Sequence, residues 1–492
     1  MTNAHDPIAP DHILRPAVRL YYAMGLSDKK IAENCKTHYD TEKYGLSATT
    51  VKRVRAQWGL TKTRKQAHTL DSIHAAILEI KETYPQRGAG TIQQALRLRY
   101  DIFAPKELVL KWLRIHEPEA VQSRKHQKFK RRRFWTAGLN DFWAMDQHDK
   151  WGARFGLYLH LGTEPTAGEV KWLKIWWTNS NPRLVSSYYF EAVRKLGAIP
   201  LVTQSDPGSE NFGVANAHTT LRHLLDPSLS GTLQHRWMRK HMNIKPEILW
   251  SVLNQDWKPG FESILQFGVD QGWYDPADPV EGLLFKWLAI PWLQTELDMW
   301  AAQYNMTPRR AQRNKTLPQG IPVVIARNPQ QYGVHDFKIQ VSNDLIDQVA
   351  KEWAPPGHPV FDLVPPAFQK FMEEIFDEIG RPVISAKNFW IIYLSLFERF
   401  LLYRQQHPQS EVELQEAITL RTNLEDASKT DDAVEILPGL RPLRQGDIFQ
   451  GNSALAVPQN VHPVQDDGGE VIAFANFTSD EEDGDDDDAG FL

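Results

Sequence analysis

Apolar residues recur at two different spacings along this chain, and the change of spacing divides it. Up to about residue 116 they return every three or four positions, the repeat of an amphipathic helix. Ala17, Val18, Leu20, Tyr21 and Met24 form one such stripe, which Gly25 can close. Ser27 is placed to cap a helix DKKIAENC, and Ser47 to cap ATTVKRVRAQW. A second group opens with LDSIHAAILEIKETYP and breaks at Arg87-Gly88-Ala89-Gly90. It resumes with Thr91 capping IQQALRLRY and ends in PKELVLKWLRIH, residues 105–116. Two groups in series, each closing on a helix with a basic face, read as helix-turn-helix units over 10–66 and 67–122. In such units the last helix enters the major groove of duplex DNA. Lys52, Arg53 and Arg55 on the first unit, and Lys111 and Arg114 on the second, are the candidate DNA contacts. Short helices with basic faces also occur in plain bundles, but two in succession favour the DNA reading.

From residue 140 the pattern changes. Asp141 to Asp149, with its apolar run, reads as a strand, whose period-two geometry puts Asp146 and His148 on one side. RFGLYLHLG (154–162) and VKWLKIWWT (170–178) read as two further strands around a turn at Glu164 to Gly168. Asn181 then caps a helix that Pro182 starts, with Leu184, Val185, Tyr188, Ala192 and Val193 as its core stripe. A fourth strand, AIPLVTQ, delivers Asp206 at its carboxyl end, and another helix starts near Ser209. Ligands of open α/β sheets bind beyond the carboxyl ends of strands. A helix NIKPEILWSVL (243–253) carries Glu247, with Asn243 four residues earlier on the same face. This order describes an α/β core over 140–340, and thirteen of the 17 tryptophans lie between 135 and 300. Residues 341–425 return to helical spacing (AFQKFMEEIFDEIG, then SAKNFWIIYLSLFERFLLYRQQ), which suits bundle packing or self-association. Residues 426–492 lose periodicity and end in DEEDGDDDD (480–488), too charged to bury itself and expected to be disordered.

Charge sharpens this outline. The net charge of −5 conceals a block of 20 Lys/Arg against 7 Asp/Glu over 51–140, or +13, and 2 against 12 over 441–492, or −10. Such asymmetry points to a polyanion partner. The densest part is the linker 123–139, where RKHQKFKRRR (124–133) has seven basic residues in ten positions. Lys125, Lys128, Lys130, Arg131, Arg132 and Arg133 suit phosphates in general rather than one sequence, and the run equally suits a nuclear import signal. Cys35 is the only cysteine, so an intrachain disulfide is excluded, as is a zinc site that needs two cysteines. No secretory leader is visible at the start. The most apolar helix candidate, 389–403, is broken by Glu398 and Arg399, and no membrane role is indicated.

The strings WAMDQHDKW, TQSDPGSEN and NIKPEILW each hold one acid in a defined context. They resemble the integrase core of retroviral and retrotransposon integrases and of bacterial insertion-sequence transposases. They look most like the integrase-core proteins present in many copies in mushroom-forming fungi. The resemblance covers about residues 124 to 335, and QYNMTPRRAQRNKTLPQGIP (303–322) is similar to the segment that closes such cores. It departs in the 40 residues between Asp206 and Glu247, longer than in the retroviral type. The paired helical units resemble the bipartite DNA-binding regions of transposases.

The resemblance implies an RNase H-like core, a mixed five-stranded sheet flanked by helices. It also implies metal-dependent cleavage and strand transfer on double-stranded DNA by a homo-oligomer. Asp146, Asp206 and Glu247 would then be the catalytic, metal-ligating triad. Carboxylates supply the oxygen ligands that Mg²⁺ or Mn²⁺ prefers, and two such ions are what phosphodiester chemistry needs. Asp256 and Glu296 are alternative third acids ranked below Glu247. Asn243 and Lys245 are candidate contacts to DNA, as are Arg309, Arg310, Arg313 and Lys315 in the closing segment. His148 reads as a hydrogen-bonded structural group more readily than a catalytic one, and Gly208 as a tight turn near the substrate. The competing class is a domesticated DNA-binding or regulatory protein with an unused core, and a third is a nuclease that cuts without joining.

Overall fold

The computed structural model describes residues 6–125, 134–238, 242–309, 316–406 and 434–443, together with 415, 418 and 419. In the N-terminal part, α1 (Asp11–Ala23), α2 (Asp28–Cys35) and α3 (Ala48–Gln57) form where the stripes predict them. The Ser27 and Ser47 hydroxyls accept the backbone N–H groups of Lys30 and Thr50. Their apolar faces meet around Leu14, Val18, Tyr21, Ile31 and Val51. Cys35 packs among them, and burial pushes its thiol up to about 12, so it serves as a small apolar group.

After a short α4 (Thr63–Gln66) come α5 (Leu70–Thr83), α6 (Ala89–Tyr100), α7 (Lys106–His116) and α8 (Pro118–Lys125). Helix α6 starts before the expected cap. Gly88, in extended backbone, takes the cap position, and Thr91 lies inside the helix with its hydroxyl donating to the Gly88 carbonyl at 3.4 Å.

The core begins with β1 (Phe142–His148), a short α9 (Gly152–Phe155), β2 (Tyr158–Glu164) and β3 (Glu169–Trp176). Then follow α10 (Pro182–Leu196), β4 (Ala198–Ile199), β5 (Val202–Ser205), α11 (Phe212–Leu225) and β6 (His235–Trp237). The sheet order is β3-β2-β1-β5-β6. β1, β2 and β3 pair antiparallel, whereas β1, β5 and β6 run parallel. This is the mixed five-stranded, helix-flanked α/β sheet expected of an RNase H-like core.

Three details differ from the expectation. The start of 154–162 is the helical turn α9, closed by Gly156 in the left-handed region, so β2 begins only at Tyr158. The fourth strand divides at Pro200, which has no N–H for a ladder. β4 accordingly leaves the main sheet and pairs with β7 (Ile339–Gln340), and only β5 continues in it. The fifth strand, β6, is three residues long, too short to register as a period.

Helices α12 (Ile244–Asp256), α13 (Lys258–Asp270) and α14 (Pro279–Met306) follow, then α15 (Pro322–Arg327), α16 (Asn343–Trp353), α17 (Pro366–Glu378) and α18 (Phe389–Gln406). α14 runs along the outer edge of β3 and satisfies it with side-chain amides. Asn305 exchanges two bonds of 2.9 Å with the Val170 backbone, and Gln294 bonds Ile175 N–H and Leu173 C=O at 3.0 Å each. An exposed edge that would otherwise invite another strand is thus closed. α18 packs as a bundle element on α13 and α14. Trp390 Nε1 donates to the Ile264 carbonyl at 2.7 Å, and Phe389 stacks on Trp292. The acidic segment 480–488 lies outside the described residues. No helix among the described residues is long and apolar enough to cross a membrane.

Candidate functional site

The site begins with two adjacent parallel strands. In the β1–β5 ladder Phe142 pairs with Val202 and Ala144 with Gln204. Continued two residues, that register sets Asp146 beside Asp206, just past the end of β5. By strand alternation Asp146 shares a face with Phe142 and Ala144, which pack against Val202. The two acids therefore lie side by side at the carboxyl edge of the sheet.

The third acid arrives on α12, which is fastened to β1 at two points. Asn243, buried at the helix N-terminus, donates to the Met145 carbonyl at 2.8 Å and accepts from Gln204 at 3.3 Å. Trp250 Nε1 donates to Asp146 Oδ2 at 3.0 Å. Residues 243, 247 and 250 share one helix face, so Glu247 sits between the two fastenings. Electrostatics agree with this placement. The Asp146 carboxyl is pushed up to about 7, first by burial and then by the charge of Asp206, with Glu247 adding to the rise. The Gln147 N–H and Trp250 oppose it.

Crowded like charges of this kind are what a divalent cation neutralises. The donors are all carboxylate oxygens, the chemistry Mg²⁺ and Mn²⁺ prefer. Among the described residues, however, no three of His, Cys, Asp and Glu are gathered as closely as ligands around one ion. The arrangement is a carboxylate pair with a third acid on the facing helix, not a closed cage. That still fits magnesium, which keeps several waters and is usually held by one or two carboxylates together with substrate phosphates.

A fourth acid borders the pair, and sequence reasoning passed over it. Glu210 accepts from Gln147 Nε2 at 2.9 Å and from Asn211 Nδ2 at 2.8 Å. Burial raises its carboxyl, and the charges of Asp149 and Asp206 add to the effect. Its side chain curls back over Gly208, where a Cβ would lie 2.0 Å from Glu210 Oε1. A side chain at position 208 would therefore displace the Glu210 carboxylate from where it lies. The signal was present in the string SDPGSEN, where a glycine stands two residues before the acid. Asp149 is taken up by Asn179, whose Nδ2 donates to Oδ1 at 2.5 Å. His148 stacks on Trp250 at 5.1 Å, and burial lowers it to about 4, so it is a neutral ring in a wall.

The remaining candidates divide. Lys52 and Arg53 are exposed on α3, and Lys111 and Arg114 on α7. Arg55 does not join them. It is 4% exposed, with Nε 3.0 Å from Asp28 Oδ1 and a further bond to the Leu60 carbonyl. A guanidinium so engaged holds α2 to α3 and cannot reach a groove. Asn243 likewise is spent inside the protein. Lys245 is half-buried, its Nζ 4.5 Å from the centroid of the Phe134 ring. The side chain of Lys125 and all of Lys128, Lys130, Arg131, Arg132, Arg133, Arg310, Arg313 and Lys315 lie outside the described residues. Arg309 is half-buried, its guanidinium lying 3.3 Å over the Tyr304 ring.

The alternative third acids are both occupied elsewhere. Asp256 receives both arms of the Arg87 guanidinium, at 2.9 and 3.1 Å, and Trp300 Nε1 at 2.8 Å. Glu296 accepts from Tyr84 at 3.2 Å and lies 3.6 Å from Arg99.

Residues 134–326 match the family described as an integrase core domain, a stretch that holds all three candidate acids and the whole five-stranded sheet. No curated protein and no solved structure matches the chain.

Proposed function

We propose that this protein is a metal-dependent DNA strand transferase of the transposase and integrase kind, of fungal mobile-element origin, acting on double-stranded DNA in the nucleus. The observation that carries this reading is the β1–β5 register, which brings Asp146 and Asp206 together opposite Glu247 inside the stretch that matches an integrase core domain. Asp146 and Asp206 would hold both Mg²⁺ or Mn²⁺ ions, with Glu247 completing the second site. Bound there, the ions supply activation of the attacking oxygen and stabilisation of the leaving one. Trp250 keeps the Asp146 carboxylate oriented, and Asn243 holds the helix that presents Glu247. Hydrolysis at an element end leaves a 3′-OH. That hydroxyl then attacks a target phosphodiester, forming a new bond as the target's 3′-oxygen departs. Joining two ends calls for a homo-oligomer. Lys52, Arg53, Lys111 and Arg114 would grip the duplex, and the basic run 124–133 would add phosphate contacts or direct nuclear import.

The test is nicking and joining of supercoiled plasmid in Mn²⁺, with Asp206→Asn beside the intact protein. Metal-dependent products from the intact protein alone support the reading. Equal products from both would remove Asp206 from the chemistry. Duplex binding without products from either would favour a domesticated DNA-binding protein, and nicking without joining a nuclease.

A further inference from the structure

The second helical group is bound to the core by far more than the chain that links them. Arg87 is 1% exposed; its guanidinium lies 3.5 Å over the Tyr84 ring and forks onto Asp256. Stacking, burial and a two-armed ion pair together fix its distance and its angle, which a lysine could not do. Around it, Gln303 donates to the Thr91 carbonyl at 3.0 Å, and Tyr84 and Arg99 hold Glu296 of α14. At Gly260 a Cβ would lie 1.9 Å from the Thr83 carbonyl oxygen, so α13 meets the end of α5 backbone against backbone.

The decisive point is where Asp256 sits. It is the last residue of α12, the helix whose first turn carries Glu247 and whose Trp250 pins Asp146. One uninterrupted helix therefore runs from the joint to the site, with roughly 14 Å of rise between Glu247 and Asp256.

We infer that the Arg87–Asp256 joint and α12 make the second helical group and the catalytic edge one rigid body, so that DNA is cut at a fixed offset from the base pairs held by the exposed face of α7. The offset rests on the strand-transfer reading above; the joint does not. Arg87 and Asp256 are positioning residues, acting through α12.

The experiment uses the full chain with nitroxide labels at Glu107→Cys on α7 and Lys195→Cys on α10. Both positions are exposed, and buried Cys35 does not compete for label. The intact joint gives one narrow distance distribution. Asp256→Asn and, as a second and charge-conserving variant, Arg87→Lys broaden it. Products mapped on an end-labelled duplex then fall at one phosphodiester for the intact joint and spread over neighbouring positions for either variant, while duplex affinity is retained. A broad distribution in the intact protein overturns the rigid joint. So does a narrow one that survives in both variants. Broadened distances with unmoved cut positions overturn the offset. If the intact protein cuts nothing in Mn²⁺, the strand-transfer reading and the offset both fail, whereas a broad distance in a protein that cuts sinks the joint and the offset but leaves the strand-transfer reading.

Discussion

Two acidic regions sit at opposite ends of α12, and they treat buried charge in opposite ways. At the C-terminal end Asp256 and Glu296 each meet an arginine as well as a neutral donor: Asp256 has Arg87 and Trp300, and Glu296 has Arg99 and Tyr84. At the N-terminal end acids face acids, and Asp146 feels Asp206 and Glu247 as additions to a burial that already disfavours its charge. The first region is electrostatically complete within the chain. In the second, like charges crowd a buried carboxyl, and this is the electrostatic signature on which the proposed chemical site rests. An acid's type and its position after a strand or on a helix do not distinguish the two. Its neighbours do.

The largest effect that would break this contrast is on chemistry. Asp206→Asn should reduce metal-dependent strand cleavage by about 10³-fold or more, since several kcal/mol of charge stabilisation go with a lost metal ligand. Thermal melts of the metal-free protein should show no loss of stability, because the substitution removes a like charge. A destabilised variant that still cleaves would reverse the assignment.

At the other end of the helix the same kind of change should act on folding. Arg87→Ala leaves Asp256 without its ion-pair partner in a largely buried setting, and should cost about 3–5 kcal/mol in denaturant unfolding. Asp256→Asn should cost a comparable amount, since it leaves the more deeply buried Arg87 guanidinium without its carboxylate. A neutral result for Arg87→Ala would show that this end is not complete in the sense argued.

A change of pH sharpens the comparison further. The Asp146 carboxyl is raised from 3.8 to about 7, so the folded protein binds this proton more tightly than the unfolded chain. Its favourable contribution is present at low pH and is lost as pH climbs through that window. In metal-free buffer, the melting temperature of the intact protein should fall relative to Asp146→Asn between pH values of about 4 and 7. Mg²⁺ should narrow the gap, because an ion that binds only the folded state stabilises it. A gap that closes as pH rises would contradict the crowding of like charges.

The smallest effects separate basic residues that share one helix. Lys52→Ala and Arg53→Ala should weaken duplex binding and leave the melting temperature unchanged. Arg55→Ala should instead cost about 1–3 kcal/mol of stability, the scale of a lost charged hydrogen bond. Binding isotherms and melts of the three variants together check this. A binding defect in a fully stable Arg55→Ala would return that arginine to the DNA face.

Much of the fold was legible from residue spacing. The stripes of α1, α5 and α10 are local patterns that each element repeats along its own length, and β1 shows as a short apolar run. The Ser27, Ser47 and Asn181 caps are likewise read from neighbours within three residues. Where expectation missed, a local competitor had won. Gly88 outcompeted Thr91 for a cap, Pro200 cut a strand in two, and β6 was too short to show a period. The positive block over 51–140 was the least faithful signal, because Arg55, Arg87, Arg97 and Arg99 are buried or largely buried inside the protein.

Taken alone, the order of residues determined that this chain carries helical units with basic faces, an α/β core, and three acids in a strand–strand–helix context. Tertiary structure decided which acids meet one another and which meet arginines. Asp256 and Arg87 are 169 positions apart, and Asp146 and Trp250 are 104 apart. Helix and strand periods arise from interactions a few residues long, whereas a charge is set by whatever lies within a few ångströms, however distant along the chain.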